Sequence, residues 1–551
     1  MKLNGAQIVV EHLIANGVDT VFGYPGGAVL ALYDELYKYS DRINHVLTAH
    51  EQGACHAADG YARASGKVGV VIATSGPGAT NLVTGIANAY LDSVPLVAIT
   101  GNVPISMHGK DSFQEVDIIG ITGPIVKHSF VVRDISVLEH TLGEAFRLAG
   151  SGRPGPVLVD IPKNVQTDSC EYAGKRPMRE GTPHTVFDAQ QLATAIKGCK
   201  KPFIYAGGGV LAAGACDELL TLSQRLSAPV GLSMMGLTAL PGDYPLNLGM
   251  CGMHGKYSST VVASECDLMI ALGVRFSDRA TGNVGEYKKE KLIIHVDIDC
   301  AEIGKNVTPQ LHVCGDVKDV LTQLLPLLPE MRNDEWLARV DEIRVAEGEQ
   351  EFINEEFNPR VIIQAVEQHL QPDTIIATDV GQHQMWAVQY YNYRKPGTLL
   401  TSGGLGAMGY GFGAAIGGCF ATGGRKTVLL TGDGSFGMNL TELATAVTYK
   451  LPIVVVLLNN GALGLPYQWQ HTFFGDRYSH SILERKTDFA ALARAFGANG
   501  HSVGSAAELQ AVLAALPDDA PTVIDCKVDI EEKVLPMIPP GGSVKNMILR
   551  G

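Results

Sequence analysis

Short runs of apolar, β-branched residues alternate with helix-period stretches along most of this chain. The runs fall at residues 20–22, 68–74, 95–100 and 157–161, then 203–205, 268–272 and 292–296, and finally 374–378, 427–431, 453–458 and 522–525. They are continuously apolar rather than alternating, as strands covered on both faces must be. Most end in Gly or a polar residue and pass into an amphipathic stretch, the signature of parallel sheets with helices on both faces. The pattern predicts an α/β protein of three doubly wound parallel-sheet domains. Two polar stretches, 166–183 and 329–359, read as linkers, the second with a helix over 335–347. They set expected domains at 1–168, 186–330 and 358–530, with a tail at 531–551 whose Pro536-Met537-Ile538-Pro539-Pro540-Gly541-Gly542 reads as a loop or lid.

A length of 551 residues is enough for three or four such units. Lys and Arg number 43 against 57 Asp and Glu, so the net charge of −14 argues against a basic nucleic-acid groove. No apolar run reaches the ~20 residues a bilayer span needs, and the start passes directly into a helical pattern without a signal peptide. The ten cysteines include no CxxC pair. They read as buried or free thiols of a reducing cytoplasm rather than as a disulfide or zinc framework.

The most specific local chemistry lies in the last third. A strand at 427–431 runs into Gly432-Asp433-Gly434-Ser435, a helical stretch around 440–448 follows, and a second strand ends in Asn459-Asn460. The 24 residues between Gly434 and Asn459 hold one helix and one strand, so the chain returns beside its start. Asp433 and Asn460 then meet at the carboxyl ends of neighbouring parallel strands, where open α/β sheets bind ligands. A carboxylate, an amide oxygen, a backbone carbonyl and diphosphate oxygens make a hard shell for Mg²⁺, and the glycines admit phosphates to a helix N-terminus. A GDG alone is commonly just a turn. With this strand context and spacing it resembles the thiamine diphosphate motif, GDG followed by about 24–27 residues and NN.

A second segment complements the first. His50-Glu51-Gln52-Gly53-Ala54 precedes a helix-like stretch at 57–64 and resembles the segment that places a glutamate against N1′ of the cofactor's aminopyrimidine. Read alone, such a glutamate is most often a capping or surface residue. Tyr24-Pro25-Gly26-Gly27 follows a strand, and Thr74-Ser75-Gly76-Pro77-Gly78-Ala79-Thr80-Asn81 is a strand–glycine turn–helix start. A dinucleotide reading of that turn fails because GxGxxG is not matched.

Along essentially its whole length the sequence resembles the large, catalytic subunit of acetohydroxyacid (acetolactate) synthases. Further carriers are Lys110-Asp111-Ser112-Phe113-Gln114-Glu115, Arg153-Pro154-Gly155-Pro156, Asp160-Ile161-Pro162-Lys163, Gly252-Met253-His254-Gly255 and Gly273-Val274-Arg275-Phe276. The runs 295–299 and 301–305, Ser402-Gly403-Gly404-Leu405-Gly406-Ala407-Met408-Gly409, Gln468-Trp469-Gln470 and Arg477-Tyr478-Ser479-His480 continue it. The resemblance implies decarboxylation of pyruvate and its carboligation to pyruvate or 2-ketobutyrate, the first step of branched-chain amino acid biosynthesis. Glu51, Gln114, Phe113, Lys163, Arg279 and Trp469 are implied as catalytic. Arg279 would pair with the carboxylate of the second ketoacid, its planar fork suiting that group, and Trp469 would form the apolar wall favouring 2-ketobutyrate. A surface ion pair and core packing are the ordinary alternatives for these two.

Thiamine diphosphate is implied at Pro25, Gly26, Gly27, Thr74, Pro77 and Asn81, at Gly381, Gln382 and His383, at Gly406 and Met408, and at Gly432, Gly434, Ser435 and Leu465. Mg²⁺ is implied at Asp433, Asn460 and the carbonyl of Ala462. The middle third ends its strands in Gly207-Gly208-Gly209, Gly273, Asp297-Ile298 and Asp316-Val317, positions suited to a dinucleotide. The family holds FAD there without net redox chemistry, and the implied FAD set adds Arg153, Met253, His254 and Arg275. A homodimer or dimer of dimers, and a regulatory small subunit, are the implied partners.

The sequence departs from the family pattern in three places: Gly437, Ser277 and Leu465-Pro466-Tyr467. Pro466 fixes φ and removes an N–H, so a loop of altered shape or mobility is expected beside the reacting carbons. Three readings follow: an acetolactate-forming carboligase, a 2-ketoacid decarboxylase or carboligase with another acceptor, and a cofactor-binding, non-catalytic subunit. Glu51, Asp433 and Asn460 argue against the last.

Overall fold

The computed structural model describes residues 1–174, 184–350 and 357–550. It contains three six-stranded parallel sheets. Numbered within each sheet, the strands of the first (residues 20–162) and third (residues 375–527) both run in the order 2-1-3-4-6-5. The middle sheet (residues 202–314) runs 3-2-1-4-5-6, the order of dinucleotide-binding folds. Every expected apolar run is a strand. The central ones, such as Gly69–Ala73, Leu268–Leu272 and Ile453–Asn459, are buried along almost their whole length. The strands that the hydrophobic pattern leaves unannounced lie mainly toward sheet edges: Asn44–Leu47, His128–Val131, Leu311–Cys314 and Asn499–Val503 carry exposed polar side chains.

The expected linkers are more structured than their composition implies. Ser169–Glu171 pairs antiparallel with Lys2–Asn4 and closes the first unit on itself; residues 175–183 lie outside the described residues. The second stretch is mainly a helix, Asp334–Gln350, whose buried Trp336 donates its indole N–H to the Pro202 carbonyl of the middle sheet; residues 351–356 again lie outside the described residues.

The first and third units share a core. Helix Glu51–Ser65 lies on helix Tyr410–Ala421, and small residues set the approach. A Cβ on Gly417 would sit 1.9 Å from the Ala57 carbonyl oxygen, and one on Gly60 2.4 Å from that of Ala414. At this contact Asp59, Arg63 and Asp92 form a buried ion triad. Tyr410 Oη donates to Asp59 Oδ1 (2.7 Å), and Asp92 accepts the backbone N–H of Gly403 and Gly404. The triad thus ties the 402–409 loop to the first unit.

Candidate active site

Strands Thr427–Gly432 and Ile453–Asn459 are parallel neighbours, so Asp433 and Asn460 emerge side by side at their carboxyl ends. Asp433 opens helix Asp433–Asn439 and is 4 % exposed, with Oδ1 buried and unpartnered. Burial pushes its carboxyl up to about 6. A buried acceptor of this kind is what a hard cation would satisfy. Asn460 Oδ1 accepts from the N–H of Ala462 (3.2 Å), while Asn460 Nδ2 donates to Gln382 Oε1 (3.1 Å). Gln382 and His383 begin helix Gln382–Tyr390. His383 is buried, its pKa lowered to about 3 by desolvation, and its Nε2 has no partner. A Cβ on Gly432 would fall 2.8 Å from His383 Nδ1. Among the described residues no cluster of three His, Cys, Asp or Glu could hold a metal alone. Asp433, Asn460 and the Ala462 carbonyl would supply part of an octahedral Mg²⁺ shell, and diphosphate oxygens suit the remaining positions.

On the first sheet, Glu51 is the first helical residue after the His50 cap, whose ring accepts from Gln52 N–H. Glu51 Oε2 accepts from Asn81 Nδ2 (2.9 Å), and Oε1 would lie 3.1 Å from a Cβ on Gly78. The two glycine turns meet here. The N–H of Ala28 donates to Thr74 Oγ1, and a Cβ on Gly26 would strike the Thr74 side chain. Gln114, at φ +59°, passes so near Gly76 that a Cβ there would lie 2.8 Å from the Gln114 carbonyl oxygen. Glu51, Thr74, Pro77, Asn81 and Gln114 are thereby gathered in one place. Phe113 beside them is 87 % exposed, and Lys163 is an exposed first residue of helix Lys163–Thr167. Glu442 holds this segment to the last third by accepting the N–H groups of Ala49 and His50. That link had no sequence signal beyond a glutamate soon after the GDG motif.

A cleft of about 2680 Å³ opens where the three units meet. Of the expected FAD residues, all but Gly207 line it: Arg153, Gly208, Gly209, Met253, His254, Gly273, Arg275, Asp297, Ile298, Asp316 and Val317. Gly207 sits directly behind, its Cβ position 2.1 Å from the Gly273 carbonyl oxygen. Gly273 is at φ +56°, and a Cβ on Gly209 would lie 2.6 Å from Gly273 Cα. Only glycines allow these strand ends to cross. Arg153 reaches from the first unit to Asp299 and Glu302 (3.2 and 2.9 Å), and burial raises the Asp297 carboxyl to about 6.

Gly406, Leu465, Trp469, Ser277 and Arg279 line the same cleft. The Arg279 guanidinium stands 5.8 Å over the Trp469 ring and donates to Met253 Sδ. Met408 Cε lies 3.9 Å from a Cβ position on Gly434, which places it against the diphosphate motif.

Family models match all three units. The model described as thiamine pyrophosphate enzyme, N-terminal TPP binding domain, covers residues 3–121; the central domain covers 189–324, and the C-terminal TPP binding domain covers 379–526. A probable acetolactate synthase large subunit of Methanocaldococcus jannaschii is 43% identical, over 99% of this chain and 95% of its own. The acetolactate synthase isozyme 3 large subunit of Escherichia coli is 42% identical, over 99% and 98%. The acetolactate synthase large subunit of Lactococcus lactis is 42% identical, over 99% and 96%. The chain belongs to the acetolactate synthase large-subunit family. It is accordingly a thiamine pyrophosphate-dependent enzyme.

Within this acetolactate synthase family member, two expectations need correction. Pro466 does not deform a loop. It is the third residue of a regular helix, Gly464–Phe474, where the missing N–H is one that the first turn leaves free in any case. The cysteines are not all thiols: Cys300, in the turn after strand Leu292–Asp297, forms a disulfide with Cys314, the last residue of the neighbouring strand Leu311–Cys314, and the other eight are free. Their pairing follows from register, since Cys314 lies opposite Asp297 on the neighbouring strand. Gly437 leaves room for Arg485, whose guanidinium would lie 3.2 Å from a Cβ there and donates to the Asp433 carbonyl.

Proposed function

We propose that this chain is the catalytic subunit of an acetolactate synthase, joining the two-carbon unit of pyruvate to pyruvate or 2-ketobutyrate. Bound thiamine diphosphate supplies the electron sink that lets CO₂ leave a 2-ketoacid. Glu51, held by Asn81, is the group that exchanges a proton with the aminopyrimidine N1′. Asp433, Asn460 and the Ala462 carbonyl hold Mg²⁺, and Gln382 and His383 receive the diphosphate. Met408 supports the bound cofactor from the 402–409 loop. Arg279 takes the carboxylate of the second ketoacid, and Trp469 bounds its side chain. The observation that carries this reading is the convergence of Arg279 and Trp469 at the cleft wall.

FAD is the occupant we assign to the cleft, on the strand order of the middle sheet and its crossing glycines. A homodimer is the assembly we assign. Exposed Tyr24, Phe113 and Met438 adjoin the motifs themselves, as expected where a second copy completes the site. The relatives' designation as large subunits supports a regulatory small-subunit partner. No described helix is long and apolar enough to cross a membrane, and eight free cysteines against one disulfide support a cytoplasmic setting.

The test is the product formed from pyruvate with thiamine diphosphate, Mg²⁺ and FAD, read by NMR. Acetolactate is expected, with a loss of ~10²–10⁴-fold in Glu51→Gln. Acetaldehyde in place of acetolactate would overturn the reading. Sedimentation showing an active monomer would overturn the assembly.

A further inference from the structure

The helix Gly464–Phe474 carries Trp469, yet its hold on the rest of the molecule comes from residues around that tryptophan. Its first turn is pinned by a short antiparallel return: the N–H of Leu463 donates to Ser481 O, and that of Leu483 to Gly461 O (both 2.7 Å). Its second turn is held by the C-terminal tail. Gln468 pairs with Val534 through both its amide oxygen (2.9 Å) and its amide nitrogen (3.0 Å). Tyr467 donates its hydroxyl to Glu531 Oε1 at 2.6 Å, and its ring stacks on Tyr478 at 4.3 Å and 11°. Tyr478 in turn donates to Asp476 (2.8 Å), just past the helix end. The tail then crosses to the middle unit, where Ile538 N–H donates to Met253 O and Gly542 O accepts from Asn283 N–H (both 2.9 Å). Met253 is also the residue whose sulfur the Arg279 guanidinium contacts.

Tyr467 lies two residues before Trp469 on the same helix. It is 6 % exposed and does not line the cleft. We propose that Tyr467 is a positioning residue for the acceptor site: its Glu531 bond and Tyr478 stack join helix, loop and tail into one piece, which fixes where Trp469 stands relative to Arg279 and so which second 2-ketoacid is taken. Trp469 itself has little else to fix it, being packed edge-on to Phe473 of its own helix and beneath the Arg279 guanidinium. A helix free to roll or slide would carry the indole away from Arg279 and blur the boundary that separates a methyl from an ethyl substituent. The inference rests on the reading that Trp469 bounds the second ketoacid.

Equimolar pyruvate and 2-ketobutyrate are given to the loaded enzyme, and the ratio of 2-aceto-2-hydroxybutyrate to 2-acetolactate is read by NMR. Wild type is compared with Tyr467→Phe, Glu531→Gln and Trp469→Leu. Trp469→Leu should lower the ratio. Tyr467→Phe and Glu531→Gln should each lower it by about 3- to 10-fold, the scale of one lost hydrogen bond, with pyruvate consumption at saturation within about twofold of wild type. A purely structural role would lower total turnover and the thermal midpoint together and leave the ratio unchanged. If Trp469→Leu moves the ratio and neither conservative variant does, the inference is overturned while the acceptor wall stands. If Trp469→Leu also leaves it unchanged, the acceptor wall falls and the inference with it. Glu531 is exposed, so Glu531→Gln carries the test should Tyr467→Phe fold poorly.

Discussion

Single side chains at the unit junctions carry unusual electrostatic stakes. Asp59 and Asp92 are fully buried and share Arg63, which also donates to the Thr401 carbonyl and lies over the Tyr410 ring. Removing Arg63 leaves two buried carboxylates without their counter-ion, which costs ~3–5 kcal/mol. Arg63→Ala should therefore lower the thermal midpoint strongly, and thiamine diphosphate affinity should fall with it, because Arg63 donates to the Thr401 carbonyl and holds Asp92, which accepts the Gly403 and Gly404 N–H groups of the 402–409 loop; calorimetry and cofactor titration check both. Asp160, inside one unit rather than at a junction, is a second buried carboxylate. It lies buried in the first sheet, accepts from Thr100 and Asn102, and burial lifts its carboxyl to about 6 from 3.8. A raised carboxyl contributes stability that is whole below pH 4 and is lost as the pH climbs through 6. The shift corresponds to roughly 3 kcal/mol. Asp160→Asn should narrow the difference in thermal midpoint between pH 5 and pH 8, which scanning calorimetry would show.

Among the elements, the strand ends of the middle sheet line the cleft that we assign to flavin. Gly209 and Gly273 touch backbone to backbone, so a methyl group at Gly209 forces the two strand ends apart. Gly209→Ala should purify with little or no flavin, read from the visible absorbance of the isolated protein. The Cys300–Cys314 disulfide spans 14 residues of the same rim. Closing a loop of that length is worth ~3 kcal/mol in the chain-entropy account. Cys300→Ser should lower stability by that order, and thiol counting on the denatured wild type before and after reduction should differ by the two half-cystines. This bridge was illegible beforehand because its cysteines are unremarkable in spacing; only the register of adjacent strands brings them together.

For the molecule as a whole, the tail is one of the connections that span units. It leaves the third sheet after Thr522–Lys527, passes the helix Gly464–Phe474, and reaches Met253 and Asn283 of the middle unit. Truncation after Asp529 should loosen the cleft and speed flavin release several-fold, measured by fluorescence recovery on dilution. The tail read as a loop or lid from its prolines, but nothing in those residues named its partners.

The residue pattern alone determined the α/β class, the central strands and the motif that sets Asp433 and Asn460 at adjacent strand ends. Those features are local or set by burial on two faces, and both leave a period or a spacing in the chain. The tertiary structure alone decided what lies far apart in sequence: Glu442 under the Glu51 segment, Arg279 over Trp469, Tyr467 against Glu531, and one cleft drawn from three units. It also decided that Pro466 is harmless, since the cost of a proline depends on whether its N–H would have found an acceptor, and only the position of the helix start answers that.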